Sequence, residues 1–532
     1  MSMMRHSLLL GLRISFAAAL LFAAAGACSG TGFTYCGDTL TCSEEGGDVG
    51  SSSTGTGDGG SDPICTGDPA KDPIEVGCGV FVSASLGDDA NVGSRDAPVR
   101  TMAKAIALAG QSEGPRLVHA CAETFAEAVI VPAGTTIWGG LDCHAGWVWI
   151  GDDAKTIFAP LSNQTALTMQ GGEGMTIVAD VQAQAAGATV PGGSSIAAQA
   201  LPGATVEILR SRLIAGNGAR GADGAPGNEH NLPAPGGTQG NPGASACSAD
   251  MVAGAVEVKS ECGAIDSIGG PGGIGGPSMG GTGFDGLPMP SPNPYGFGLG
   301  GAGESNGVQC FSGAMGENGA DGEHGLGGQQ SAYLSFTGYN GRSGENGTLG
   351  LPGQGGGGGG GSKAGLLFCG AAPQGGASGG SGGGGGCGGR AGAGGGFGGA
   401  SIGLISMGAT VALRDCVVTV GDGGDGGAGG RFQIGGPGGI EGQGGQGTGG
   451  SKAGCQGGIG GQGGNGGNGG GGLGGPSIGL AYVLGVPVAT EGVLIQLGKP
   501  GFGGLGGNPN LTWTTGKDGV VGDDVGFPPP AG

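Results

Sequence analysis

The chain has 532 residues, 145 of them glycine, and a formal net charge of −21. That charge excludes nucleic acid as a partner and an electrostatic grip on anionic lipid, since both require cationic surface. Glycine is concentrated between residues 216 and 507, which excludes an ordinary side-chain core there, because glycine has nothing to bury and loses the most backbone entropy on ordering.

The chain opens with an export signal over residues 1–27. Arg5, His6 and Arg13 precede an almost continuously apolar run from Ile14 to Ala25, too short for a membrane span. Ala25-Gly26-Ala27 before Cys28 resembles a bacterial lipobox, with Ala25 where that motif usually has Leu. The resemblance implies an acylated Cys28 that anchors the chain in a membrane, at the cell surface on the outer membrane; plain secretion would leave Cys28 an ordinary cysteine. Without residues 1–27, which hold two Arg and no acid, the charge is −23. Residues 43–62 are Ser, Gly, Thr, Asp and Glu with Val49 the one aliphatic, so residues 28–77 read as a lipidated cysteine on a flexible tether.

Fourteen cysteines in an exported chain imply disulfides. Cys36 and Cys42 are close enough to form a small loop, and Cys65, Cys78, Cys121, Cys143, Cys247 and Cys262 are further candidates. With Cys28 acylated, thirteen remain, so at least one is unpaired or bonds between chains.

Residues 78–215 carry a different pattern. Short strands are predicted at 79–83, 117–118, 128–131, 135–138, 156–158, 166–169 and 175–178, bounded by Gly, Pro, Asn or Asp. Asp88, Asp89, Asn91, Gly93 and Asp96 form a polar turn closed by Pro98. A helix is predicted over 101–109, with Met102, Ala105, Ile106 and Ala109 at helical spacing.

The run from Phe81 through Gly87-Asp88-Asp89-Ala90-Asn91-Val92-Gly93 to Asp96-Ala97-Pro98-Val99-Arg100-Thr101-Met102, with the alanine-rich helix after it, resembles the entry of right-handed parallel β-helix domains of the pectin-lyase-like family. Residues 123–131 and 134–143 resemble the coil that follows. The resemblance implies an all-β solenoid with an N-terminal capping helix over 78–215. Cys121 and Cys143 are 22 residues apart, close to one coil of such a helix, which implies a bond between them. Trp138, Trp147 and Trp149 are candidates for a sugar-binding platform, though packing is the favoured reading.

Internal repeats extend the solenoid beyond the glycine. Residues 203–216 align without a gap with 408–421, and a third copy runs from Gly485 to about Gly498; Ser401-Ile402-Gly403-Leu404 also matches Ser477-Ile478-Gly479-Leu480, and Ser195-Ile196-Ala197 more loosely. Each copy reads as an apolar strand pair, and such self-similarity marks stacked units. The expected organisation is therefore rungs at 400–421 and 477–498, glycine-rich excursions from one side at 216–399 and 422–476, and a glycine- and proline-rich tail at 499–532.

Within the excursions glycine keeps a period of three, as from Gly313 to Gly328 and from Gly341 to Gly356, and later becomes Gly-Gly-X. Three residues is the period of polyproline II, whose backbone groups are satisfied only laterally. An antiparallel intrachain polyglycine bundle is expected ahead of disorder, with collagen disfavoured by 29 prolines and a broken phase. The composition resembles PE-PGRS-type surface proteins.

No catalytic constellation stands out. The glycine runs lack the Lys-Ser/Thr ending of a phosphate loop, and no nucleotide or other cofactor is expected. Asp88, Asp89, Asn91 and Asp96 are weak calcium candidates against a turn-capping role, and Asp321 and Asp425 are isolated. Arg210, Arg212, Arg414 and Asp415 are the nearest to the basic and acidic residues of pectin-lyase-like enzymes. The expectation is a non-catalytic surface lipoprotein with a structural, adhesive or interaction role, meeting glycans or other surface proteins; the alternative is a carbohydrate-binding or polysaccharide-degrading β-helix.

Overall fold

The computed structural model describes Cys65 and residues 67–75, 77–111, 114–329, 332–483 and 487–528. Cys28, Cys36, Cys42 and the tether segment 43–62 lie outside them. From Val80 onward the protein is predominantly β, built on three parallel sheets that the chain visits in rotation. The first sheet runs in order through Val80–Val82, Arg116–Cys121, Thr135–Asp142, Met175–Ala179, Thr205–Leu209, Thr410–Arg414 and Ala489–Glu491. The second holds Thr124–Phe125, Thr156–Phe158, Val181–Ala185, Arg212–Ala215, Val417–Val420 and Leu494–Gln496. The third holds Val129–Val131, Leu167–Met169, Ser195–Ala200, Ser401–Ser406, Ser477–Val483 and Val521–Phe527.

Each circuit of the chain therefore adds one strand to each sheet. The aligned repeats pair residue for residue: Val206 lies beside Val411, Ile208 beside Leu413, and Ser195, Ser401 and Ser477 stand in one row. Strand alternation turns Val206, Ile208, Val411 and Leu413 into a common apolar interior with Leu213, Val418 and Leu480. Two expectations change. Each repeat is three strands, one per sheet, where a strand pair was expected. The segment read as a tail supplies Val521–Phe527 to the third sheet.

The helix Met102–Ala109 closes the first end of this interior with Met102, Ala105, Ile106 and Ala109. Its free N–H groups are satisfied locally. The Thr101 side chain accepts from Lys104, and the Glu127 carboxylate accepts from Met102 at 3.0 Å and Ala103 at 3.1 Å. The step from first to second sheet uses a left-handed residue: Asp180, Arg210 and Asp415 have φ of 56°, 45° and 52°.

The long excursions all leave at one corner, between the second sheet and the third. They fill the chain between Ala215 and Ser401, between Val420 and Ser477, and between Gln496 and Val521. A row of buried serines marks that corner. Ser195 accepts from the N–H of Gly216 at 2.9 Å, Ser401 from Gly421 at 2.9 Å and Ser477 from Gly498 at 3.1 Å, so each hydroxyl holds the first glycine of an excursion. The first excursion also folds back as a hairpin, Tyr333–Ser335 with Gly338–Asn340, whose Leu334 and Tyr339 cover Ile402, Ile405 and Ile478 on the outer face of the third sheet.

The excursions form an ordered bundle of extended segments joined by lateral hydrogen bonds at every third residue. Gly313, Gly316, Gly319 and Gly322 donate to Gln456, Ile459, Gln462 and Asn465, a same-direction pairing. Gly344, Gly347 and Gly350 donate to Gly395, Gly392 and Gly389, an opposite-direction pairing. The bundle is thus mixed in direction where a purely antiparallel one was expected; each extended segment turns its N–H and C=O groups sideways, so a neighbour of either sense fits.

The seven-glycine run 355–361 lies at the centre. Its N–H groups go to segments 281–287, 311–314 and 380–383, and its carbonyls accept from 270–273, 301–304 and 455–458, giving six neighbours. A Cβ at Gly358 would strike the carbonyl oxygen of Pro271, so glycine is required by backbone approach. Three disulfides staple the bundle, Cys247–Cys369, Cys262–Cys387 and Cys310–Cys455, and two more, Cys65–Cys78 and Cys121–Cys143, lie at the front of the first sheet. Among the described residues the free thiol is Cys416, buried at the repeat position that Ser211 fills one circuit earlier.

Candidate functional site

The first feature is a strap. Residues 67–75, tied down by Cys65–Cys78, cross outward-pointing side chains of the first sheet. Beneath them Leu117 and His119 line a cleft of about 350 Å³ with Asp72, Ile74 and Glu75. His119 is 3 % exposed, its ring 5.0 Å from that of Phe81. Neither ring nitrogen makes a well-formed hydrogen bond. Burial pushes its pKa down to about 4; the Cys78 backbone opposes the shift and the Arg95 charge adds to it.

The tryptophans form no exposed platform of three. Trp138 and Trp147 are buried, Trp147 edge-on to Phe81 at 4.8 Å. Trp149 is half-buried, with the Arg210 guanidinium 5.9 Å over its ring. Trp147 and Trp149 line a second cleft, of about 410 Å³, with Lys71 and Arg95.

The residues closest to a lyase constellation are mostly engaged in structure. Arg210 pairs with Asp180 at 2.8 Å and with Asp68 at 3.0 Å, and Lys155 reaches the buried Asp180 at 3.0 Å. Arg414 bridges Glu207 at 3.2 Å and Glu491 at 3.6 Å. Arg212 is exposed one strand away, and Asp415 is a left-handed corner residue.

Three of the four calcium candidates, Asp88, Asp89 and Asn91, hold the turn together. Asp89 accepts from the N–H groups of Arg100 and Thr101 and from the Thr101 hydroxyl. Burial works to raise its pKa, but those hydrogen bonds and the Lys104 charge prevail and lower it. Asp88 accepts from the N–H of Ala90, Asn91 donates to the Pro98 carbonyl, and Asp96 is exposed. Among the described residues one cluster is compact enough for a cation, Cys121, Glu123 and Cys143. Its sulfurs are bonded to each other, and Glu123 is taken up by Ser83, Ala84 and Ser85.

The third feature is the bundle surface. Three segments, 312–328, 455–469 and 430–446, lie side by side. The innermost positions are glycine; in 455–469 every third residue faces out, and in the Gly-X-X segment 312–328 the residue before it is partly or fully exposed as well. Outward Asn and Asp side chains reach across to the next segment: Asn318 accepts from the N–H of Gln462 at 2.9 Å, Asp321 from Asn465 at 2.7 Å, and Asn465 from Gly435 at 3.1 Å. Asp425 likewise accepts from Phe502 at 2.8 Å. Asp321 and Asp425, isolated in sequence, thus satisfy surface backbone donors. The signal for this was the triplet phase they share with the glycines.

No family model matches the chain, no curated protein resembles it, and no solved structure matches its fold.

Proposed function

We propose that the chain is a non-catalytic, exported cell-surface lipoprotein, held in the outer membrane through Cys28. Its body is a right-handed parallel β-helix, and its excursions form a polyglycine bundle of polyproline II type that presents side chains to glycans or other surface proteins. The observation that carries this reading is the period-three bundle: its inward residues are glycine, while its outward residues, including Met315, Ile440, Ile459 and Phe502, are exposed. Such a scaffold spends its sequence on display. The rotation through three parallel sheets and the single exit corner support the solenoid. The engagement of Arg210 and Arg414 in ion pairs supports a structural body over a polysaccharide-cleaving one.

A glycan array and a binding screen on intact cells, run beside a depolymerisation assay, test the role. Binding without cleavage supports it, and cleavage abolished by Arg210→Ala or Asp180→Asn overturns it in favour of an enzyme. Palmitate labelling lost in Cys28→Ala tests the anchor separately.

A further inference from the structure

One face of the bundle departs from the pattern around it. Across segments 312–328, 455–469 and 430–446 the outward residues form rows, fixed by the bonds of Gly316 to Ile459, Gly319 to Gln462, Gly460 to Gly439 and Gly463 to Gly436. The Asn318 and Asp321 side chains lean from the first segment onto the second, and that of Asn465 leans from the second onto the third, so these positions share one face. The polar latching stops beyond Asn318, and the next row is aliphatic. Met315, Ile459 and Ile440 are 59 %, 46 % and 57 % exposed. Ser312, Gln456 and Gln443 lie on one side of that row, and Asn318, Gln462 and Pro437 on the other, all exposed.

A Met or Ile there cannot accept a backbone N–H as Asn318 does in the next row and Asp321 two rows away, so these side chains make no internal hydrogen bond. It is an aliphatic strip flanked by amides on both sides, those of Gln456 and Gln443 on one and of Asn318 and Gln462 on the other. The outward positions of this strip and its flanking amides carry no charge in a chain of net charge −21; Glu317 and Glu441 beside them are half-buried, and the exposed Asp321 lies in the row beyond Asn318. Along each segment the rows recur every three residues, about 9 Å in polyproline II geometry.

We propose that this face binds a neutral polysaccharide chain, an inference that rests on the display role above and names its partner class. Amides both donate and accept, as hydroxyls do, and the aliphatic strip suits the C–H faces of sugar rings. A regular array fits a repeating polymer. The charge of the chain repels acidic polymers and a second copy of itself, and has no such effect on a neutral one.

The test uses the full-length, disulfide-bonded protein in pull-down on cellulose and chitin and in affinity electrophoresis through mannan, with polygalacturonate and alginate as acidic comparators. The variant Met315→Asp/Ile440→Asp/Ile459→Asp changes three exposed side chains. Leu161→Asp, at a residue 78 % exposed on the link between second and third sheets, is the control. Circular dichroism and intact mass establish that each variant is folded and oxidised. Expected is retention on at least one neutral polymer and on neither acidic one, weakened at least about tenfold by the triple variant and unchanged by the control. Retention on no neutral polymer overturns the proposal, as does a face-dependent dimer in sedimentation without polymer binding. Retention that the triple variant leaves intact overturns the face while sparing the display role. Polymer cleavage instead sinks that role itself.

Discussion

A buried imidazole without a well-formed hydrogen bond makes stability depend on pH. His119 is 3 % exposed with a pKa near 4 in the folded protein, against about 6.5 in an unfolded chain. Between those values the unfolded chain holds a proton that the folded one does not, so stability falls as pH falls. The contribution is complete above about pH 6.5 and lost by about pH 4, roughly 3 kcal/mol in all. Urea titrations at pH 7 and pH 4.5 measure it; His119→Phe, which keeps a ring beside Phe81, should remove most of the difference. The serine row gives a second residue-scale expectation. Ser477→Ala strips the Gly498 N–H of its partner and should cost about 1–3 kcal/mol. Ser401→Ala should cost less, because the Gly421 N–H also reaches the Ala215 carbonyl at 3.0 Å. Equal costs would refute the serine row as the anchor of the excursions. The alignment of Ser401 with Ser477 and of Gly216 with Gly421 was legible in the sequence; the bonds across the corner were not, since they join residues about 20 positions apart through a turn of three sheets.

At the scale of the segment, the number of glycines per triplet follows the number of sides packed. The run 355–361 meets backbone on every side and is all glycine. Residues 457–464 bond to four segments, 316–319, 354–357, 383–386 and 436–442, and read Gly-Gly-X, with Ile459 and Gln462 outward. Residues 313–325 bond along their length to two segments, 348–357 and 456–468, and read Gly-X-X. The period was legible in the sequence, and the change from Gly-X-X to Gly-Gly-X is the record of depth in the bundle. Direction was not legible, because a glycine triplet bonds equally well to a neighbour of either sense. Gly358→Ala, whose methyl would meet the Pro271 carbonyl, should cost at least about 1–3 kcal/mol, whereas Ile459→Ala on the surface should change stability by less than about 0.5 kcal/mol. Thermal unfolding of the two variants decides it: similar midpoints would mean that the centre is loosely packed.

The whole molecule joins two kinds of interior. The three-sheet body buries Val, Ile, Leu and Phe, and its entry motif and repeats made it legible from residues 78 to 215. The bundle buries peptide groups, and no propensity scale reads that from glycine. The candidate site was less legible still, because its rows exist only once segments some 140 residues apart lie in register, as Asn318 and Gln462 do. The two interiors respond differently to heat. Apolar surface exposed on unfolding raises the heat capacity and polar surface lowers it. Peptide groups released from the bundle therefore offset the aliphatic side chains released from the sheets. Calorimetry of the oxidised protein should give a heat-capacity change per residue well below the usual value of about 12–15 cal/mol/K, and a correspondingly flat stability curve. Hydrogen exchange separates this from partial unfolding. The amides of 355–361, each bonded within the bundle, should exchange as slowly as those of Ser401–Ser406. A normal heat-capacity change, or rapid exchange in the central run, would show that the glycine segments are not packed through their backbones.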